Sequence, residues 1–173
     1  MFSGNTKLPS GLSLRPMRSS DNVFMESLYR TTRDDLRLLD AEDDFIDEFI
    51  DFQRRAQTQG YGDMFPNAMY FVVEYHSERI GRVVLDFGQN EIRVVDIALI
   101  PVARGKGYGG QVLQVVQMAA GKVMAPVALT VRCDHLRTKQ LYARLGFAVE
   151  EAQIPYERMV WYPASTGIFS MAT

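Results

Sequence analysis

Apolar positions along this chain change their period once. In the first third they recur at helical spacing. Val23, Phe24 and Leu28 follow Ser20-Asp21, residue types able to cap a helix start. Phe45, Ile46, Phe49, Ile50 and Phe52 form one face of a second helix, predicted from about Glu42 to Gln59 and broken by Gly60, Gly62, Pro66 and Asn67. Ahead of both, Leu12, Leu14, Pro16 and Met17 alternate as a short first strand does. From Met69 the segments 69–75, 79–87 and 91–100 are rich in Val, Ile, Tyr and Phe, the composition of strands. The connectors His76-Ser77-Glu78 and Gly88-Gln89-Asn90 are short enough for hairpins, which predicts an antiparallel meander. A helix over 111–120 ended by Gly121, a strand over 126–132 and a short helix over 137–145 follow. Gly146 then stands where a C-terminal helix cap needs it. Strands over 147–151 and 158–162 complete the sheet. The class is therefore α+β: a mixed, mainly antiparallel sheet of about six to seven strands flanked by about four helices.

A length of 173 residues and 47% hydrophobic composition suit one domain with a substantial core. The reading assigns residues 1–11 to a flexible lead, 12–162 to that single domain and 163–173 to an aperiodic tail. No internal repeat or linker interrupts it. The formal net charge of −2 supplies no basic field, so neither nucleic acid nor an anionic membrane is an expected partner. No apolar run approaches the length of a bilayer span, and Met1–Ser20 lacks the apolar stretch of a signal peptide. Cys133 is the single cysteine, which excludes an intrachain disulfide and a multi-cysteine metal site. His76 and His135 are too far apart to have ligand spacing, so no metal is expected. A cytoplasmic protein, monomeric or homodimeric, is the expectation.

The candidate chemistry begins at Arg104-Gly105-Lys106-Gly107-Tyr108-Gly109-Gly110, between a strand and a helix. Glycines let the backbone turn sharply and approach a ligand closely. A helix start offers unpaired N–H groups and a positive dipole end. Together they make a site for the pyrophosphate of a nucleotide-bearing cofactor. Gly105, Gly107 and Gly110 satisfy the dinucleotide pattern G-x-G-x-x-G, yet the acidic residue expected about 20 positions on is missing. The next strand ends Thr130-Val131-Arg132, and the strands before the loop read as hairpins rather than βαβ units. No Lys-Ser or Lys-Thr pair closes the run as a Walker loop requires.

Arg104 through Gly109 also fit R-x-x-G-x-G, and beyond one further strand Tyr142-Ala143-Arg144-Leu145-Gly146-Phe147 reads Tyr-x-x-x-Gly-Phe. In this order and spacing the two segments resemble the acetyl-CoA-binding core of the GNAT superfamily of N-acetyltransferases, over roughly residues 69–162. The resemblance implies a single GNAT-like domain. It further implies that acetyl-CoA is co-substrate, with its pyrophosphate held by the amides of Arg104, Gly105, Lys106, Gly107, Tyr108, Gly109 and Gly110. Arg104 and Lys106 would add charge, unless Lys106 is only a solvated loop cation. Ile97 and Leu99 would pair with the pantetheine arm, in a slot where this strand and the one from Pro126 splay apart. Tyr142 matches the tyrosine that protonates the leaving thiolate, and its alternative is a packing aromatic. His135 falls where the family often has asparagine, and Thr138 where a small residue is common. His135 would contact the cofactor, cap the helix or lie on the surface.

An amine nucleophile must lose a proton, and a free alkylammonium has a pKa near 10. Asp96, inside Val94-Val95-Asp96-Ile97-Ala98, matches the family's acid on this strand. It serves either as the base or as half of an ion pair with Arg93 or Arg82, because an unpartnered buried carboxylate is costly. Glu91 is the reserve. Cys133 has no activated dyad near it in sequence, so direct transfer in a ternary complex is preferred to an acyl-enzyme. Asp34, Asp35, Asp40, Glu42, Asp43, Asp44, Asp47, Glu48 and Asp51 lie within 18 residues and are opposed only by Arg37. They suit a cationic amine or basic peptide, or else form the polar face of an amphipathic helix. The segment 59–65 is either a lid or an ordinary loop. The leading function is N-acetylation of a primary amine. The alternative is a non-catalytic acyl-CoA-binding or regulatory module.

Overall fold

The structure, a computed structural model, describes residues 6–35 and 42–164. The chain enters through β1 (Thr6–Lys7) and β2 (Leu12–Pro16), then forms α1 (Asn22–Thr31) and α2 (Asp43–Met64). The meander β3 (Ala68–Tyr75), β4 (Glu78–Phe87) and β5 (Ile92–Leu99) follows. The last part runs α3 (Tyr108–Lys122), β6 (Val127–Arg132), α4 (Leu136–Arg144), β7 (Ala148–Gln153) and β8 (Tyr156–Trp161). All eight strands share one sheet in the order β1-β2-β3-β4-β5-β6-β8-β7. Every pairing is antiparallel except β5–β6. The meander closes through His76 and Ser77, both at positive φ (47° and 69°), as a two-residue hairpin turn demands. The strand beyond the expected seven is β1, a two-residue edge inside the segment read as a lead.

Two apolar layers sandwich the sheet. On one face Leu12, Leu14, Phe71, Val83, Leu85, Val94, Val127 and Leu129 pack against Val112, Leu113, Val115 and Val116 of α3. On the other, Met25 and Leu28 of α1 cover Val72 and Ala98, and Ile46 and Ile50 of α2 close on Tyr29 of α1. The helical phases differ from those expected of the sequence. Phe45 and Phe52 are 62% and 67% exposed while Ile46 and Ile50 are buried, so the phenylalanines lie about one residue off the buried stripe. Phe45 instead stacks on Phe49 at 6.4 Å. In α1, Met25, Leu28 and Tyr29 are buried and Val23 faces solvent.

The second helix also outruns its expected end. Gly60 and Gly62 do not break it, and residues 59–64 are neither lid nor loop but its last turns. A glycine inside a helix costs only about 1 kcal/mol. The stop comes at Phe65 (φ −131°, ψ 75°), which precedes Pro66 and is thereby kept from helical geometry.

The pairing of β5 matters most for the site. Against β4, Asp96 faces Val84 and Val94 faces Leu85, so Val95 is an extra residue and β5 carries a bulge there. Its parallel ladder with β6 covers only Ile92–Val94 against Val127–Leu129. Both strands continue past that point, β6 now bonded on its far side to β8. A slot therefore opens between them, beginning at the bulge.

Candidate active site

On the α3/α4 side of the sheet, the loop after β5 turns through Gly105 (φ 71°) and Gly107 (φ 83°), backbone conformations that side chains rarely tolerate. The first bond of α3 runs from the Gln111 N–H to the Gly107 carbonyl. The amides of Tyr108, Gly109 and Gly110 thus lack intrahelical acceptors at the positive end of the helix. A Cβ added at Gly105, Gly107 or Gly109 would meet nothing within 4 Å, so this concave backbone is bounded by open space. Gly110 faces the protein instead: a Cβ there would lie 3.4 Å from Leu141 Cδ1 of α4, in van der Waals contact. The Tyr108 ring anchors the helix start on Tyr75, centroids 4.9 Å apart, and Lys106 is exposed.

The guanidinium of Arg104 turns away from these amides. Its Nε donates to the Leu99 carbonyl (3.0 Å) and Nη2 to Thr31 Oγ1 (3.2 Å), bridging the loop to α1. At the far end, α4 closes with the Gly146 N–H bonded to Ala143 O and the Phe147 N–H to Tyr142 O, a Schellman motif. The accompanying apolar contact is Tyr142 on Phe147, at 6.0 Å. Burial pushes the Tyr142 hydroxyl pKa above its ordinary value, and the charge of Asp96 adds to the rise. Tyr142 is therefore a neutral O–H donor at physiological pH, within electrostatic reach of Asp96. His135 sits at the start of α4 with its side chain exposed.

Asp96 lies on the opposite sheet face, under α1 and α2. Arg82 of β4 donates to its Oδ2 twice, from Nε (3.1 Å) and Nη2 (2.7 Å), and Nη2 also reaches Gln57 Oε1 (3.1 Å). These groups line a cleft of about 530 Å³ together with Thr31, Thr32 and Arg104. Tyr61 and Tyr70 stand in the same electrostatic neighbourhood. Burial, then the Asp96 charge, pushes Tyr61 up to about 12, and Tyr70 is raised chiefly by burial. Arg93 does not pair with Asp96. It binds Glu91 (3.0 Å), which also binds Arg158, so the reserve carboxylate is held in its own ion network.

A family model described as the acetyltransferase (GNAT) family matches residues 25–147, more than two thirds of the chain. The protein belongs to the GNAT acetyltransferase family. Sequence comparison with curated proteins gives no match. Solved structures match over nearly the whole fold. One is the spermidine N-acetyltransferase from Vibrio cholerae in complex with CoA and spermine (19% identity, 88% of this chain and 96% of that one, TM-score 0.64). A second is the ribosomal L7/L12 α-N-protein acetyltransferase RimL in complex with CoA (13%, 92% and 98%, 0.65). A third is the PaiA N-acetyltransferase from Thermoplasma acidophilum in complex with CoA (15%, 87% and 98%, 0.61). At these identities the likeness is one of fold.

The sequence pattern alone does not reveal the contribution of α2. Ile46, Ile50, Gln57 and Tyr61 are spaced by four, seven and four residues, one stripe of a continuous helix. Ending the helix at Gly60 hides its last member. The acidic run is also less free than its composition suggests. Asp47 and Asp51 each bind Arg30 of α1 at 3.1 Å, and Asp35 binds Arg33 at 3.3 Å. Asp43, Asp44 and Glu48 are exposed, while Asp40 and Arg37 lie outside the described residues. Asp44 is 13 residues before Gln57, about 20 Å along the helix.

Proposed function

We propose that this acetyltransferase moves the acetyl group of acetyl-CoA to a primary amine by direct attack in a ternary complex. The observation that supports it is the slot between β5 and β6, with the Asp96 carboxylate on one sheet face and the Tyr142 hydroxyl on the other. Acetyl-CoA, when bound, supplies the activated acetyl group. The residues fit it: the open-faced amides of Gly105–Gly110 would hold its pyrophosphate, and the backbone of Ile97 and Leu99, free of β6, would pair with its arm.

On the other face, an incoming ammonium donates a hydrogen bond to Asp96 and loses a proton to it before attack. Tyr142 holds a proton at Oη, which its raised pKa keeps in place until the departing sulfur needs it. The two acid–base roles stay separate because the sheet stands between them. The substrate class is an amine whose body lies under α1 and α2. A small amine reads only the cleft around Asp96. A long polycation or basic peptide would also reach Asp43, Asp44 and Glu48, and the spermine-bound neighbour favours that extension.

Thiol release from acetyl-CoA across a panel of amines tests the reaction. Asp96→Asn and Tyr142→Phe should each lower kcat by about 10²–10⁴-fold while leaving KM for acetyl-CoA nearly unchanged. Phenylalanine keeps the ring contact with Phe147, so the second variant should fold normally. Parent-like rates in both variants would sink the assignment.

A further inference from the structure

An arginine inside the apolar run Ile80–Leu85 needs a reason, and its side chain is only 7% exposed. Two of its donors converge on a single oxygen of Asp96. The other oxygen, Oδ1, has no hydrogen-bond partner among the described residues. A carboxylate on a strand can swing about χ2 and exchange its two oxygens. One held twice through Oδ2 cannot do so without breaking both bonds. Gln57, itself part of the cleft wall, accepts from the same Nη2 and fixes the guanidinium in turn. The chain of contacts therefore runs from α2 through Arg82 to Asp96, and it ends on the one atom left to meet a substrate.

We propose that Arg82 is a positioning residue of the transfer reaction: by engaging Oδ2 it presents Oδ1 of Asp96 to the acceptor ammonium, and Gln57 makes that presentation depend on the seating of α2. The inference rests on the reading of Asp96 as base. It assigns Arg82 no contact with substrate. Its effect must therefore vanish when Asp96 can no longer act.

A double-mutant comparison tests this. Arg82→Gln should lower kcat by about tenfold or more while KM for acetyl-CoA stays within about twofold, and Arg82→Lys should recover part of the loss. In an Asp96→Asn background, assayed near pH 10 where much of the amine is already free base, Arg82→Gln should change the rate by less than about twofold. Equal losses in both backgrounds, or a raised KM for acetyl-CoA with kcat intact, would overturn the proposal. If Arg82→Gln does not fold, Gln57→Ala keeps the buried charge and should give a smaller kcat loss with the same dependence on Asp96. No loss in Gln57→Ala would count against the proposal. A parent-like Asp96→Asn would defeat the base reading itself, and this inference with it. A slow Asp96→Asn beside an unimpaired Arg82→Gln would remove only the role of Arg82.

Discussion

The two sides of the slot are held in shape by different means. On the α3/α4 side, shape is local: two glycines at positive φ, a helix beginning at once after them, and a Schellman turn at the far end of the short helix that His135 opens. Each feature depends on neighbours within about one helical turn. On the α1/α2 side most ties join different elements. Arg15 of β2 forks onto Asp21 at the head of α1 (2.8 and 2.9 Å) and onto Glu74 of β3 (2.6 Å), while Arg79 of β4 reaches the same aspartate (3.1 Å). Arg30 ties α1 to α2, and Arg82 ties α2 to Asp96. The glycine-loop side is thus encoded in short motifs, and the Asp96 side largely in ion pairs between different elements.

The largest break in that comparison should come at Asp21, which is 0% exposed and also accepts the Arg18 N–H (2.8 Å). The Arg15 guanidinium holds its carboxyl well below the usual carboxylate range. Asp21→Asn should destabilise the protein by about 3 kcal/mol at neutral pH, because it leaves the largely buried Arg15 guanidinium with Glu74 as its one remaining counter-charge and removes the partner of Arg79. Hydrogen exchange should accelerate in α1 and α2 well before α3. Because the folded pKa is depressed, the stabilisation is complete above the unfolded value near 4 and is lost as pH falls toward the folded one. The gap between parent and variant in denaturant midpoint should therefore narrow in acid. Uniform loosening of all four helices would show that the two sides are not separately held.

A smaller effect isolates the other side. Gly109 has an ordinary helical backbone, and a Cβ there meets open space. Gly109→Ala should stabilise α3 by up to about 1 kcal/mol. The new methyl would nevertheless crowd the mouth of the amide cradle. The dissociation constant for CoA should rise by about tenfold or more, the equivalent of one charge-assisted hydrogen bond (about 1.5–3 kcal/mol). Thermal unfolding and CoA titration would check the two parts. A more stable variant with unchanged CoA affinity would mean the phosphates do not approach that amide.

The same division explains which features are legible in the amino-acid sequence. Glycine at 105, 107 and 146, and the tyrosine four residues before Gly146, stand out because torsion and capping need particular residues at fixed offsets. The hairpins and the mixed, mainly antiparallel sheet follow from period and turn length. The bulge at Val95 leaves no mark, since an extra residue in a strand changes no composition. Without it the length of the slot cannot be read. Sequence narrows the partner of Asp96 to Arg93 or Arg82, but the choice depends on which sheet face each side chain occupies after the bulge. Tyr61 stays hidden as long as two glycines are taken for a helix end.

Those two glycines allow the finest test. Gly60 and Gly62 lie within α2, neither has a positive φ, and a Cβ at either meets nothing within 4 Å. Packing therefore gives no reason for glycine at either position. If they are only tolerated, Gly60→Ala and Gly62→Ala should each stabilise the helix by about 1 kcal/mol and leave kcat and both KM values unchanged. If the end of α2 must yield for an amine to pass beneath Tyr61, the same substitutions should stabilise the fold yet raise KM for the amine alone. The second outcome would make α2 an adjustable wall, in contrast to the torsionally fixed loop across the slot. Steady-state kinetics beside thermal unfolding of the double variant distinguishes the two, because only a yielding wall couples added helix stability to weaker use of the acceptor.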